Sequence, residues 1–486
     1  MSDIFDDVRE DDEGLTSTRP TLIGIIVAGL LVATCLIALA VTFFTGLIPT
    51  LPLAVFVTIE VVTTGVLAFM MLTSRPKVHK VKFAMATMLS FLLVLMNCGV
   101  VKLGMDYLGF TSKIQTQAEE SILYDVVVLT TASDDISALD GRVMAEVATD
   151  PLGPVVREEV LGLTSVTFQP SPTWVNMVES VVDSSVSSMV IPDALMQVLE
   201  DADEAAFGQL KIIASFTVKE SSVLEHNPTK RSNDAFILYI SGIDTYGSIS
   251  SRARSDVNML MVVNPSEGRV LLVNTPRDFY VPFRGQDGLK DKLTHAGVYG
   301  IGVSLGTLED LYDIDIDYYL RINFSSVVEV VDALGGIDVD SEFEFSSQGY
   351  DFTVGLNHLD GEQALAFSRH RYSFDGGDRT RGLNQQRVIA GIIDRITAPS
   401  ILAKYDRTLN AVGGSLETSM PRSAMSDLVK RQISSGTAWQ IDTISVDGEG
   451  ALDYTFTYPE QRLYVMVPDE DTVQAAKQAI REALGE

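Results

Sequence analysis

Three long apolar stretches stand close together near the start of the chain: Leu22 to Ile48, Leu51 to Leu72 and Phe83 to Leu103. Each approaches or exceeds the ~20 residues that a helix needs to cross a bilayer. The first two hold a single charged residue, Glu60, and Pro49 and Pro52 lie where a tight turn between antiparallel helices would fall. The stretches are therefore expected to be transmembrane helices, the first two forming a hairpin. The residues before them, including Asp3, Asp6, Asp7 and the run Glu10 to Glu13, are acidic. A secretory signal peptide would instead carry a basic leader and a cleavage site, so the anchor is expected to stay attached. Arg75, Lys77, Lys80 and Lys82 lie between the second and third stretches, and no basic residue lies between the first and second. Lysine and arginine mark cytoplasmic loops. A cytoplasmic tail over residues 1–20, three spans over 21–104 and an extracellular remainder follow as the expected topology, with the chain in the cell membrane.

Composition supports this division, because a mean hydropathy of +0.20 together with a formal net charge of −29 fits an average over an apolar anchor and an acidic soluble part. The acidic balance opposes a nucleic-acid partner. Both cysteines, Cys35 and Cys98, fall inside the spans, so the remainder has no disulfide framework. Within that remainder the polar run His226 to Asn233, with Pro228, separates two regions. Residues 105–230 mix strand-like runs (Asp125 to Thr130, Ser188 to Ile191, Lys211 to Lys219) with helical ones such as Asp193 to Asp201, and read as a small α/β accessory domain or spacer.

Residues 231–486 hold the chemistry-bearing patterns. Ala235 to Ile240 reads as a buried strand that delivers Asp244 just past its C-terminal end. Val257 to Asn264 and Arg269 to Thr275, joined by Pro265, Ser266, Glu267 and Gly268, read as a β-hairpin. If Asn264 pairs with Arg269, the register brings Asp256 opposite Arg277, so that Arg254-Ser255-Asp256 and Thr275-Pro276-Arg277-Asp278 converge at the open end. Further on, Asp360 reads as the N-cap of a short helix, Gln363 to Phe367, and Ser368 to Tyr372 reads as extended, which would turn Arg369 and Arg371 the same way. From Arg369 to Arg387 there are five arginines and no lysine in nineteen residues. In so acidic a chain, this reversal points to an anionic ligand chelated by guanidinium groups, or else to ion pairs with the abundant carboxylates.

Taken in order, Arg254-Ser255-Asp256, Asn274 to Asp278, Asp291-Lys292 with His295, Arg369-His370-Arg371 and Gly377 to Gln386 resemble the motifs of the LytR-CpsA-Psr family of bacterial cell-envelope proteins. The resemblance runs from about Ala235 to Ile396, and the three spans followed by an extra domain are similar to its streptococcal capsule branch. It implies a phosphotransferase that moves a capsular or other cell-wall glycopolymer from a polyprenyl pyrophosphate carrier to peptidoglycan through a phosphodiester bond, with pyrophosphatase activity on the carrier as a possible accompaniment. It further implies Mg²⁺ or another divalent ion held by Asp244 and Asp256. Arg254, Arg277, Arg369, Arg371, Arg379 and Arg381 would clamp phosphate oxygens, helped by Lys292 and Gln385. Asp278 and Asp378 would orient arginines or accept a proton. The implied partners are the lipid-linked glycan, peptidoglycan, membrane lipid and other capsule-assembly proteins. A non-catalytic regulator that binds lipid-linked glycan is the alternative, since it would need the arginines but not the metal-holding carboxylates. Val257-Asn258 and Leu383 depart from the wording common in the family.

The expected fold class is α/β: three N-terminal transmembrane helices, the accessory domain, and a family domain in which helices cover both faces of a mixed central sheet. Its C-terminal part would be a strand at Leu463 to Pro468 and a helix at Thr472 to Leu484. Gly302-Val303-Ser304-Leu305-Gly306 has the wording of a nucleophile elbow but lies in a stretch that reads as helix with no strand before it. Five scattered histidines make no zinc site, and His295 and His370 read as hydrogen-bonding partners.

Overall fold

The computed structural model describes residues 20–74, 79–115, 119–221, 234–243, 249, 251–371, 378–398, 416–436 and 438–486. The chain divides into two compact units, Met1–Ser112 with Arg422–Gly436, and Lys113–Pro421 with Thr437–Glu486.

In the first unit the apolar stretches form the helices Leu22–Thr45, Thr50–Thr73 and Lys80–Ile114, all long and apolar enough to cross a membrane. Thr21 caps the first through its hydroxyl, which accepts from the Gly24 amide at 3.1 Å, and Pro49 opens the second. Leu31, Leu67 and Leu93 meet between the helices. The third helix runs past the expected end at Leu103 to Ile114, since the segment after Gly104 contains no proline to stop it. A helix not anticipated from the sequence, Arg422–Ser435, belongs to the same unit. Its Ser426 hydroxyl donates to the Thr45 carbonyl at 3.0 Å and lies 2.7 Å from the Tyr107 hydroxyl.

The second unit contains two mixed sheets. The first has five strands, β1 (Glu119–Leu129), β2 (Val143–Val147), β3 (Thr167–Ser171), β4 (Ser188–Pro192) and β5 (Leu210–Ser221), in the order β3-β2-β4-β1-β5. β2 runs parallel to β3 and β4, and β1 antiparallel to β4 and β5. Alternation along β1 sends Val127 into one cluster with helix Trp174–Val182, and Val126 and Val128 into another with helix Gly153–Leu163.

The second sheet has six strands, including β6 (Phe236–Ile243), β7 (Ser255–Asn264) and β8 (Arg269–Thr275). Its order is Leu416–Thr418, Tyr318–Ile322, β6, β7, β8, Gln440–Ser445. Tyr318–Ile322 is parallel to β6 and Gln440–Ser445 to β8, while β6-β7-β8 is an antiparallel meander. Every residue of β6 is buried, as the unbroken apolar run requires. Ile237, Tyr239, Leu260, Val262, Leu271 and Val273 pack on one face against helices Ile301–Tyr312 and Glu470–Leu484. Helix Asp378–Thr397 also lies against the sheet, where Gln386 Nε2 donates to the carbonyls of Leu272 (3.1 Å) and Ile444 (2.8 Å). The C-terminal strand Arg462–Pro468 does not join the six strands. It pairs with Gly448–Tyr454, because the free edge of β8 is already taken by Gln440–Ser445.

The hairpin register is the anticipated one, with Asn264 opposite Arg269 and Asn258 opposite Thr275. Asn258 is buried and bridges the start of β7: its Nδ2 donates to the Ser255 carbonyl at 2.8 Å and its Oδ1 accepts from the Tyr239 hydroxyl at 2.7 Å. Its neighbour Val257 presses on Gly242, where an added Cβ would lie 2.6 Å from Val257 Cγ2, so the close pairing of β6 and β7 requires glycine. These contacts account for Val257-Asn258. Ser304 is buried inside helix Ile301–Tyr312, which rules out a nucleophile elbow there.

Candidate functional site

A cavity of about 300 Å³ opens between the sheet, at the ends of β6 and Tyr318–Ile322 and the start of β7, and the helices Phe324–Leu334, Gly361–Arg369 and Asp378–Thr397. One part of its wall is apolar, with Val257, Ile322, Phe324, Val327, Leu365, Val388 and Ile389. The other part carries Asp256, Arg369, Arg371, Arg381 and Gln385.

Local folding explains how these side chains are delivered. Asp360 caps helix Gly361–Arg369 as anticipated, its carboxylate accepting from the Gln363 amide at 2.9 Å. That helix runs farther than expected. Ser368 and Arg369 form its last turn and the chain becomes extended only at His370, so Arg369 and Arg371 are not alternate residues of one strand. Both nevertheless line the cavity, since the change of direction at His370 replaces strand alternation. Arg369 stacks its guanidinium 4.0 Å above the Phe324 ring, a cation–π contact that fixes a long side chain. Phe324 opens the helix capped by Asn323 and bears no motif signal. Arg381 sits in the first turns of helix Asp378–Thr397, which approaches β8 so closely that a Cβ on Gly382 would lie 2.3 Å from Asn274 Nδ2.

Behind the cavity the open end of the hairpin is tied by ions. Arg277 Nη1 donates to both oxygens of Asp256 at 3.0 and 3.1 Å, and the Thr294 hydroxyl donates to Oδ1 at 3.2 Å. Asp278 lies 3.7 Å from Arg277 Nε and 3.5 Å from Lys292 Nζ. A continuous chain thus runs from Lys292 through Asp278 and Arg277 to Asp256. Burial alone would push the Asp256 carboxyl up, but the guanidinium of Arg277, then those of Arg381 and Arg254, hold it far below the usual carboxylate range. The Asp291-Lys292 motif is anchored beneath: Asp291 accepts from the Thr457 amide at 2.6 Å and lies 2.7 Å from His295 Nδ1. His295 is therefore a buried partner of a carboxylate, and His370 stacks on Phe345 with ring centroids 4.7 Å apart.

Not every anticipated residue reaches the cavity. Arg379 turns away, its side chain 60% exposed and paired with Asp447 at 2.7 Å. It follows that charge spacing along a helix does not by itself select the inward face. Arg254 does not line the cavity either. It is buried, donates to the Gln197 carbonyl at 3.1 Å and pairs with Asp201. Asp244 and the side chain of Asp378 lie outside the described residues. Among the described residues, no three His, Cys, Asp or Glu side chains form a metal-holding group. The residues that sequence reasoning missed are the apolar wall and Phe324, because apolar side chains at helical spacing carry no sign of whether they face a core or a cavity.

Residues 208–481 match the model of the LytR_cpsA_psr family, leaving β1 to β4 and helix Asp193–Ala202 outside the match. The polyisoprenyl-teichoic acid–peptidoglycan teichoic acid transferase TagU of Enterococcus faecalis is 37% identical over 207 residues, covering 42% of this chain and 67% of its own. The protein of the same name from Bacillus mycoides is 32% identical over 267 residues, or 55% of this chain and 83% of its own. The crystal structure of B. subtilis TagV aligns at 28% identity with a TM-score of 0.45, covering 52% of this chain and 99% of that one. With more than half of its length matched by the family model, this chain belongs to the LytR_cpsA_psr family.

Proposed function

We propose that this protein is a phosphotransferase that moves a capsular or other cell-wall glycopolymer from a polyprenyl pyrophosphate carrier to peptidoglycan. The observation that carries this reading is the cavity, in which an apolar wall suited to an isoprenoid tail meets Arg369, Arg371, Arg381 and Gln385. A pyrophosphate headgroup has several charges to neutralise, and guanidinium forks keep their charge at any pH at which the protein is folded. The names of the two TagU relatives point to the same class of reaction.

In the transfer step a peptidoglycan sugar hydroxyl attacks the phosphorus next to the glycan. A new P–O bond forms, the bridging P–O bond of the pyrophosphate breaks, and the polyprenyl monophosphate leaves with its electron pair. The arginines bind and orient the phosphate oxygens, and their charge is worth more where water is excluded. Asp278, held by Lys292 and Arg277, orients the latter. The proton of the attacking hydroxyl passes to a carboxylate, for which Asp278 and Asp378 are the two candidates. Asp256 offers an ionised hard-oxygen donor at the cavity wall, which fits Mg²⁺, with Asp244 as the second ligand. When bound, that ion would supply further neutralisation of pyrophosphate charge. In the membrane the loop with Arg75, Lys77, Lys80 and Lys82 faces the cytoplasm and the cavity lies outside.

The test is transfer of a labelled glycan from its polyprenyl pyrophosphate carrier to peptidoglycan oligomers by the full-length protein in detergent, with Mg²⁺ and with chelator. A phosphodiester product that depends on the divalent ion is the expected result. Carrier binding with neither product nor pyrophosphate cleavage would replace the transferase by a lipid-linked-glycan-binding regulator. A reporter fused to the C-terminus and active only in the cytoplasm would overturn the topology.

A further inference from the structure

Helix Asp193–Ala202 of the five-stranded region reaches the start of β7 and holds Arg254 there. Arg254 Nη1 donates to the Gln197 carbonyl at 3.1 Å and its guanidinium pairs with the Asp201 carboxylate. Arg254 has a side chain only 7% exposed, whereas that of Asp201 is 36% exposed. A guanidinium so buried needs a balancing charge and fixed acceptors, and one helix supplies an instance of each. Two residues along the chain stands Asp256, on the cavity wall, whose carboxylate feels the charge of Arg254. The contact is part of a wider seam. Trp174 Nε1 donates to the Thr457 carbonyl at 3.0 Å, the Trp174 and Tyr458 rings lie 5.6 Å apart, and Arg252 pairs with Glu220.

We infer that Asp201 is a positioning residue for the pyrophosphate site: through it the five-stranded region sets where the Arg254 guanidinium stands behind Asp256, the carboxylate that lines the cavity. This rests on the reading of the cavity as a pyrophosphate-lipid site and deepens it. Asp201 and Gln197 lie outside the stretch matched by the family model, so these two contacts to the family arginine come from the added region. The region is then a working part of the site and not a spacer.

The experiment measures binding of geranylgeranyl pyrophosphate, a short polyprenyl pyrophosphate, to the full-length protein in detergent by calorimetry. Asp201→Asn is expected to weaken binding about tenfold, the scale of one charge-assisted hydrogen bond. Asp201→Glu keeps the charge and moves it by one methylene, so a loss of only about threefold is expected, and it serves if the asparagine variant fails to fold. Glu220→Gln breaks the neighbouring ion pair across the same seam without touching Arg254, and is expected to leave affinity in place. Unchanged or tighter binding in both Asp201 variants overturns the inference while leaving the proposed function standing. Equal losses in Asp201→Asn and Glu220→Gln that track a lowered Tm make Asp201 a structural tie, which also overturns it. No binding by the unaltered protein removes the reading of the cavity and the inference with it.

Discussion

Each of the two mixed sheets of the second unit holds a desolvated aspartate in an interior strand, and the two carboxyls are driven in opposite directions. Asp125 in β1 is 1% exposed, and burial pushes it up to about 7, against a hydrogen bond from the Ser215 hydroxyl at 2.6 Å and with Asp193 adding to the rise. Asp256 in β7 is also desolvated, yet Arg277, Arg381 and Arg254 hold it ionised. Desolvation is common to both, so what separates an anion-handling site from a core polar group is the convergence of arginines from distant parts of the chain. The five-stranded sheet has a comparable frame of strands and helices and, among the described residues, gathers no such cluster around Asp125.

The sharpest way to break this contrast is Asp256→Ala. It leaves Arg277 facing Arg381 and Arg254 without their carboxylate, and should cost about 3 kcal/mol in chemical denaturation together with loss of transfer. Retained transfer would remove Asp256 from the mechanism. Replacing Arg369 and Arg371 together by alanine should weaken polyprenyl pyrophosphate binding about 100-fold while the fold persists, since both line the cavity. Unchanged affinity in a folded double variant would sink the arginine clamp.

The two aspartates also give opposite pH signs. Asp125 keeps its proton in the folded state to about 7 but loses it near 3.8 when unfolded, so folding binds a proton between those values and stability falls as pH rises through that window. Asp125→Asn should flatten that fall and stabilise the protein at pH 8 by about 2 kcal/mol in pH-dependent unfolding. Asp256, depressed in the folded state, contributes stability that is present above 3.8 and lost as pH falls. An identical pH profile in the Asp125→Asn variant would show that the first sheet has no such proton. The smallest effect is expected for Arg379→Ala. Its ion pair with Asp447 is exposed, so affinity should change less than about threefold and stability by about 0.5 kcal/mol or less.

Arg379 also marks the limit of sequence reading. Arg379 and Arg381 are two residues apart in one arginine-rich run, and nothing in their spacing distinguishes the one that enters the cavity from the one that pairs with Asp447. The helix face is set by how Gly382 seats against Asn274, a contact between segments far apart in the chain. The hairpin was legible because a register, once set at Asn264 and Arg269, propagates by the fixed period of a strand and carries Asp256 to Arg277. The extended reading of Ser368 to Tyr372 failed at its first two residues, because the capping box at Asp360 started a helix that continued until His370.

By itself the sequence determined the three apolar helices, the mixed α/β character of the remainder, the pairing register of β7 and β8, and the order of the family motifs. All of these depend on local periodicity, turn chemistry or residue identity. Only the tertiary structure decided which arginines share a cavity, that an apolar wall stands beside them, that Arg422–Ser435 belongs with the apolar N-terminal helices, and that Asp201 holds Arg254. Those outcomes depend on contacts between residues far apart in the chain, which packing selects and spacing along the sequence does not encode.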